Sequence, residues 1–452
     1  MAEPAASLNS GTDLPVVAPT AVHWRILALV AVYVAMCHFN RISMSVAGNE
    51  RILKDHASDI STTTMGWVYT SYLIVYTICM TPGGWLIDRR GPRAALVLMG
   101  FGSAGFVALT GLVGMAFTTA GLLVAALLLV RGLLGFVTAP VHPSGARLVG
   151  HWAPLTERIG ANGLVVAAAC VGIASTYYVF GSLMDWLGWP AAFVVASGVT
   201  AILAVIWAWY ATDRPGQHPA VNPAERALLE ADEPAHEPTT PSLAETWSLL
   251  RNRSLIYLTL SYAAVGYVQY LFFYWIEHYF EDELKLGKDT SRLASTICTL
   301  AMGVGMFGGG WLADRLQYRI GRRWALASVP AISLLFSAGL LILGIATTDP
   351  TWIVIWFALA LAGVGTAEGP SWTAAVELGG RRGGTAAGIL NTGGNAGGLV
   401  APVLSPFIGE RLGWPFAIGL GAIICVVGAI LWFWVDPAER VAELEPVEGP
   451  LA

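Results

Sequence analysis

Twelve apolar runs of spanning length recur along the chain, more than any soluble core could bury. They fall at about 24–47, 65–87, 94–117, 121–143, 161–184 and 189–211, and then at 254–280, 291–316, 324–345, 351–376, 385–408 and 414–435. A helix of ~20 apolar residues crosses a hydrocarbon layer ~30 Å thick and satisfies every backbone N–H and C=O within itself. Composition points the same way, with 55% hydrophobic and 12% charged residues against roughly 45–50% and 25% in soluble domains. The expected fold class is an all-α membrane protein of 12 transmembrane helices.

The stretch 212–253 breaks the pattern. It is rich in Pro, Glu and Ala, holds Asp232-Glu233-Pro234 and Glu237-Pro238, and is too polar to enter lipid. It divides the chain into a six-helix bundle over 24–211 and a second over 254–435, joined by a cytoplasmic linker. Residues 1–23 are expected to be a disordered tail, because Glu3 and Asp13 interrupt any apolar core a signal peptide would need. Residues 436–452 are a second polar tail.

Charge sets the orientation. With both termini inside, seventeen of the 25 lysines and arginines lie on the cytoplasmic side, six (51, 54, 285, 288, 292 and 411) lie outside, and Arg41 and Arg131 fall within spans. That is the positive-inside bias of an inner-membrane protein. The five cysteines (37, 79, 170, 298, 425) all sit in apolar runs with no metal-ligand spacing and read as packing residues. No metal cluster, nucleotide loop or nucleophile–base pair occurs. No enzyme activity, cofactor, metal or nucleic-acid partner is therefore expected, and the chain is expected to act as a monomer in the bilayer.

The halves repeat. Leu187-Gly188-Trp189-Pro190 returns as Leu412-Gly413-Trp414-Pro415, Gly84-Trp85-Leu86-Ile87-Asp88-Arg89 as Gly310-Trp311-Leu312-Ala313-Asp314-Arg315, and Thr138-Ala139 as Thr366-Ala367. Near-constant offsets of 225, 226 and 228 imply two like-oriented bundles about an axis along the membrane normal, with a central site between them.

These residues resemble the major facilitator superfamily, whose loop signature is G-x-L-x-D-R-x-G-R-[KR]. Gly84 to Arg93 match it with Pro92 as the departure, and a looser copy runs from Gly310 through Asp314-Arg315 to Gly321-Arg322-Arg323. The resemblance implies the major facilitator fold and a cytoplasmic gate built from Gly84, Asp88, Arg89, Gly91, Arg93, Gly310, Asp314 and Arg315. Within the superfamily the chain is most similar to the anion:cation symporters of sugar acids and organic anions. Asn40-Arg41-Ile42-Ser43-Met44-Ser45-Val46-Ala47 resembles their first-helix pattern D-R-x-N-L-S-V-A. Arg131-Gly132-Leu133-Leu134-Gly135 with Thr138-Ala139-Pro140 and Pro143 resembles their fourth helix, and Gly388 to Asn395 their eleventh.

An arginine inside a span is costly unless it faces water or a partner, and a guanidinium fork suits a carboxylate. The resemblance makes Arg41 the carboxylate anchor. Arg131, ten residues into its run, either binds cargo or braces its helix. Asn391 and Asn395 share one helical face, where the equivalent first-half positions are Val166 and Cys170. They are candidates for ligand hydroxyls or for interhelical hydrogen bonds. Tyr267 and Tyr270 are candidates to stack on a sugar-like ligand, whereas Tyr274, Trp275 and Tyr279 are expected in an interfacial aromatic belt. The family's two acids are replaced by Asn40 and Thr138, neither of which titrates. Two nearby groups, His142 and Glu368, are the candidates for ion coupling.

The expected function is secondary active transport of a small organic anion, a sugar acid or another carboxylate, by alternating access with proton or other cation coupling. An uncoupled facilitator or antiporter of the same fold is the alternative, and a membrane sensor a remote one.

Overall fold

A computed structural model describes residues 18–154, 157–230, 249–380 and 383–436. Among them, twelve long helical rods follow one another. Six form the first half: α1 (Val22–Ala47), α2 and α3 (62–90 and 92–116, the two arms of the run Thr62–Ala116), α4 (Ala120–Trp152), α5 (158–187) and α6 (Trp189–Tyr210). The second half holds α7 (Arg253–His278), α8 (Lys288–Ile320), α9 (Arg322–Ala346), α10 (Pro350–Gly379), α11 (Gly383–Leu412) and α12 (Trp414–Leu431). A short amphipathic helix, Pro223–Glu230, lies in the linker. Residues 1–17 and 437–452 of the expected tails, and the acid-rich part of the linker over 231–248, fall outside the described residues, while Val22 and His23, expected in the first tail, already belong to α1.

The rods start and stop where backbone chemistry dictates. Side-chain oxygens of Ser61, Asn252 and Asp349 accept N–H groups in the first turns of α2, α7 and α10, relieving donors that a helix end leaves unpaired. The repeated Leu-Gly-Trp-Pro turns place Gly188 at φ 79°, ψ 155° and Gly413 at φ 97°, ψ 151°, a region essentially reserved for glycine that strains a residue with a Cβ by ~1–3 kcal/mol. The signature loops turn in the same way at Gly91 (φ 81°) and Gly321 (φ 84°). The sequence repeat is thus also a repeat of backbone geometry.

Ten of the rods are long and apolar enough to cross a bilayer. The two below that mark, α2 and α11, pack on each other between the halves. A Cβ on Gly66 of α2 would lie 2.0 Å from the Pro402 carbonyl of α11, and Thr70 donates to the Leu399 carbonyl at 3.3 Å. Their low hydropathy follows from that position, because a face turned to protein needs no lipid-compatible surface.

Candidate functional site

The two ends of the bundle differ. The end opposite the start of α1 and Asp436, here called distal, carries the segments 48–62, 185–189, 279–292 and 408–415. Arg292 of α8 reaches across to the first half there. Its Nε and Nη2 each donate to Glu50 at 2.6 Å and its Nη1 to Asp185 at 2.6 Å. Lys288 also pairs with Asp185, and Lys54 of the first half pairs with Glu281 at 2.6 Å. Glu410 accepts from Thr62 and Thr63. Below this layer, Asn49 donates to the Tyr274 carbonyl at 3.0 Å, Tyr177 donates to the Phe273 carbonyl at 2.9 Å, and the Tyr69 ring stacks on Tyr274. The halves are therefore sealed together distally.

Arg41 lies beneath the seal, 5% exposed. Its Nε donates to the Tyr274 hydroxyl at 3.1 Å. Its guanidinium carbon sits 4.5 Å from the ring centre of Tyr270, 5.4 Å from Tyr72 and 6.0 Å from Tyr76. The two tyrosine pairs are each spaced i, i+4, one on α2 and one on α7, so each presents a single face to the cation. Four aromatic rings from both halves thus cage one arginine, and each favourable cation–π contact is worth ~0.5–2 kcal/mol. The Arg41 Nη2 is buried and has no hydrogen-bond partner among the described residues, a donor whose isolation is costly until an acceptor arrives.

Arg131 is turned differently. Its Nη1 and Nη2 donate to two consecutive carbonyls of α1, Asn40 at 3.1 Å and Arg41 at 2.6 Å. This fork fixes the rotation of α1, and with it the direction of Arg41. The two positions where the family resemblance expects acids are held by neutral partners. Asn40 donates to Thr200 at 2.9 Å, and the Thr138 hydroxyl meets Tyr72 at 2.7 Å.

Toward the second half, the Tyr270 hydroxyl donates to Asn395 at 3.0 Å, and the Asn395 amide donates to the Asn391 side chain at 3.2 Å. Tyr270 approaches α11 closely because Gly398 has no side chain. A Cβ there would lie 1.6 Å from a Tyr270 ring carbon. Tyr267 points elsewhere within its own half, to Ser405 at 3.2 Å. The α10 ladder is interrupted at Ala367 and resumes at Glu368, as α4 is interrupted at Ala139–Pro140. Such broken helices place polar groups at mid-bundle. Glu368 accepts from Tyr262, Gln269 and Trp372, and Gln269 is the chain neighbour of Tyr270.

His142 faces a second histidine. Its ring centre lies 5.2 Å from that of His38, which is one turn before Arg41 on α1. Sequence reasoning missed His38, although its spacing of three from Arg41 was available. It also missed the cage residues Tyr72 and Tyr76 and the Glu368 partners Tyr262, Gln269 and Trp372, because aromatic residues in apolar runs look like packing. Tyr274 is not part of a surface belt. It is 2% exposed, and Trp275 and Tyr279 are buried with it, because α7 lines the contact between halves at that height.

At the proximal end, where α1 starts and Asp436 lies, the first signature loop is tied to α6. The Arg93 N–H donates to Asp213 at 2.7 Å and the Trp207 indole to the Arg93 carbonyl at 3.2 Å. The Gly91 backbone lies so near Asp213 that a Cβ would meet its carboxylate at 2.8 Å. The second loop has matching ties, Arg323 to Asp436 at 3.2 Å and Arg322 to Glu377. Arg315 covers Trp311 and Gly310 packs on Gly369, while Asp314 and Arg89 are exposed. Gly84 and the Asp88 side chain lie outside the described residues.

A family model described as the Major Facilitator Superfamily matches residues 27–392 and 319–451. The chain belongs to this superfamily. Among the superfamily's curated transporters, a D-galactonate transporter of Escherichia coli O6:H1 is 28% identical, over 92% of this chain and 97% of its own. A probable galactarate/D-glucarate transporter, GudP of Bacillus subtilis strain 168, is 28% identical over 95% and 96%. A probable sulfoacetate transporter, SauU of Cupriavidus necator, is 26% identical over 91% and 93%. Among solved structures, an inward-facing, unoccupied bacterial homologue of the human lysosomal transporter Spinster superposes with a TM-score of 0.71, covering 92% of this chain and 97% of its own at 14% identity. That likeness concerns the fold.

Proposed function

We propose that the protein is a secondary transporter that carries a small carboxylate, a sugar acid or a related organic anion, across the inner membrane by alternating access between its halves. In this reading both termini are cytoplasmic and the distal end faces the outer aqueous phase. The observation that carries the proposal is the buried, unpartnered Nη2 of Arg41, held between the halves by four tyrosines. An anion there would gain a charge-assisted hydrogen bond worth ~1.5–3 kcal/mol. Asn391, Asn395 and Gln269 lie on the second-half side, where hydroxyls of a sugar acid would find amides. Transporters similar to this chain over nine-tenths of its length are named for galactonate, galactarate, glucarate and sulfoacetate, all anions of this kind.

Coupling to a proton is assigned to Glu368, with His38 and His142 as a second titratable group beside Arg41. An uncoupled facilitator or antiporter of the same fold is favoured by one observation: Asn40 and Thr138 are neutral groups bonded to Thr200 and Tyr72 and cannot carry a proton. The test is uptake of labelled D-galactonate, D-glucarate and sulfoacetate into proteoliposomes holding the full chain. Saturable uptake of at least one, abolished by Arg41→Ala in protein that still inserts, is expected. Parental uptake by Arg41→Ala removes Arg41 from the cargo site.

A further inference from the structure

Glu277, near the distal end of α7, is 1% exposed, and both of its carboxyl oxygens are buried with no donor reaching them among the described residues. Arg292, Tyr177 and Tyr69, which face it, direct their donors elsewhere. Arg292 spends its Nε and Nη2 on Glu50 and its Nη1 on Asp185. The Tyr177 hydroxyl donates to the Phe273 carbonyl, and the Tyr69 hydroxyl points to Asn49 and the Ser45 carbonyl. The groups that face Glu277 are Glu50 from the extension of α1, Arg292 from α8, Tyr69 from α2, Tyr177 from α5 and Glu281 from its own helix.

The carboxyl of Glu50, itself buried, is the acid that acts on it most strongly. Two ionised carboxylates are acceptors only, so a hydrogen bond between the two forms only when one of them carries a proton. Charge balance agrees. Only Arg292 and Glu50 are fully buried there, and they offset each other, while Arg51, Lys288 and Asp185 form the more exposed rim; an ionised Glu277 would be a second buried anion beside that single pair, where water is excluded.

We propose that Glu277 and Glu50 together form a proton-binding site in the distal seal, filled while the halves are closed there and emptied to the distal aqueous phase when they part. The proton belongs to the pair. It returns to the compartment it came from, so it gates access and does not drive transport, which sets it apart from a proton on Glu368. Because the sealed form holds one more proton than the open form, the sealed-to-open ratio rises with acidity by at most about tenfold per pH unit. The proposal assumes that the halves part distally, as alternating access requires, but not that any particular cargo moves.

The experiment reads the seal directly. Spin labels at Ser58→Cys in the first half and Thr290→Cys in the second, both exposed, are placed on the full chain in lipid nanodiscs with Cys79→Ser. Distances are measured by pulsed electron resonance at pH 5 and pH 8. The long-distance population is expected to grow at pH 8 in protein with Glu277. It should stay small at both pH values in Glu277→Gln and in Glu277→Met, an apolar replacement of similar volume that covers the case in which the amide disturbs folding. Glu368→Gln should retain the full pH response. No pH response with Glu277 present overturns the proposal, as does a parental response in both Glu277 variants or loss of the response in Glu368→Gln. Failure of uptake with an intact response would instead count against the cargo assignment alone.

Discussion

At the residue scale, one guanidinium and its aromatic surroundings concentrate the chemistry. Arg41→Lys keeps the charge but loses the planar fork, so a carboxylate would meet one point donor in place of a matched pair. We expect uptake of a carboxylate cargo to persist with KM raised by ~10- to 100-fold, the loss of ~1.5–3 kcal/mol of charge-assisted bonding. An unchanged KM in proteoliposome uptake counts against the role. Gly398→Ala tests the cage without touching the arginine. Its new methyl would collide with the Tyr270 ring, breaking the bond to Asn395 and lifting the ring from Arg41. Cargo affinity should fall while thermal stability drops by the ~1–3 kcal/mol usual for overpacking, and parental affinity would show that Tyr270 does not shape the site. Arg41 and Arg131 were legible in the sequence because a charge in lipid is too costly to be incidental. Their division of labour was not, since only geometry shows that Arg131 spends its fork on the carbonyls of Asn40 and Arg41.

At the element scale, the rods were largely legible because the bilayer allows so few alternatives. Apolar length specifies a helix, and the Leu-Gly-Trp-Pro and Gly-x-x-x-Asp-Arg repeats specify where pairs of rods join. The ties made across long sequence distances could not be read that way. The start of α1 is one example. Its first turn has no cap of its own at Ala21, and is capped by Glu225 of the linker helix, which accepts from the His23 N–H at 2.8 Å, from His23 Nδ1 at 2.6 Å and from Thr20. Burial pushes the Glu225 carboxyl up, but the bonds from Thr20 and His23 outweigh it and hold it below its ordinary value. A depressed carboxyl stabilises the ionised, docked form. The tie is therefore complete above the ordinary carboxylate range and is lost as pH falls through the lowered value. Glu225→Ala should free the linker helix and cost ~0.5–2 kcal/mol, the usual worth of a lost cap. Faster proteolysis of the linker at neutral pH is the measurement, and parental cleavage kinetics would argue against the tie.

At the scale of the whole molecule, the distal seal and the cargo site share one helix. Tyr270 and Tyr274 of α7 touch Arg41, Glu277 of the same helix enters the seal, and Gln269 touches Glu368. In the proposed cycle, a bound anion acting at these points would shift the balance between the distally sealed and distally open forms along that shared rod. Glu368 is the group through which a proton would act on that balance. As a carboxylate it accepts from Tyr262, Gln269 and Trp372. Protonation turns one of its oxygens into a donor and forces at least one of those three partners to turn away. Protonation of Oε1, the oxygen Gln269 meets, would release Gln269 beside Tyr270, at the edge of the arginine cage. Glu368→Gln carries a permanent amide donor and imitates the protonated arrangement without being able to lose it. Such a variant should still exchange internal for external cargo, since exchange needs only the loaded carrier to change sides. It should not be accelerated by an inward proton gradient, because no proton binds and leaves in the cycle. Proteoliposomes preloaded with cargo measure the first property, and the same vesicles with an imposed pH gradient measure the second. If Glu368→Gln responds to the gradient as the parent does, coupling passes to the His38–His142 pair. If the parent itself does not respond, the molecule is a facilitator, or is driven by an ion other than the proton.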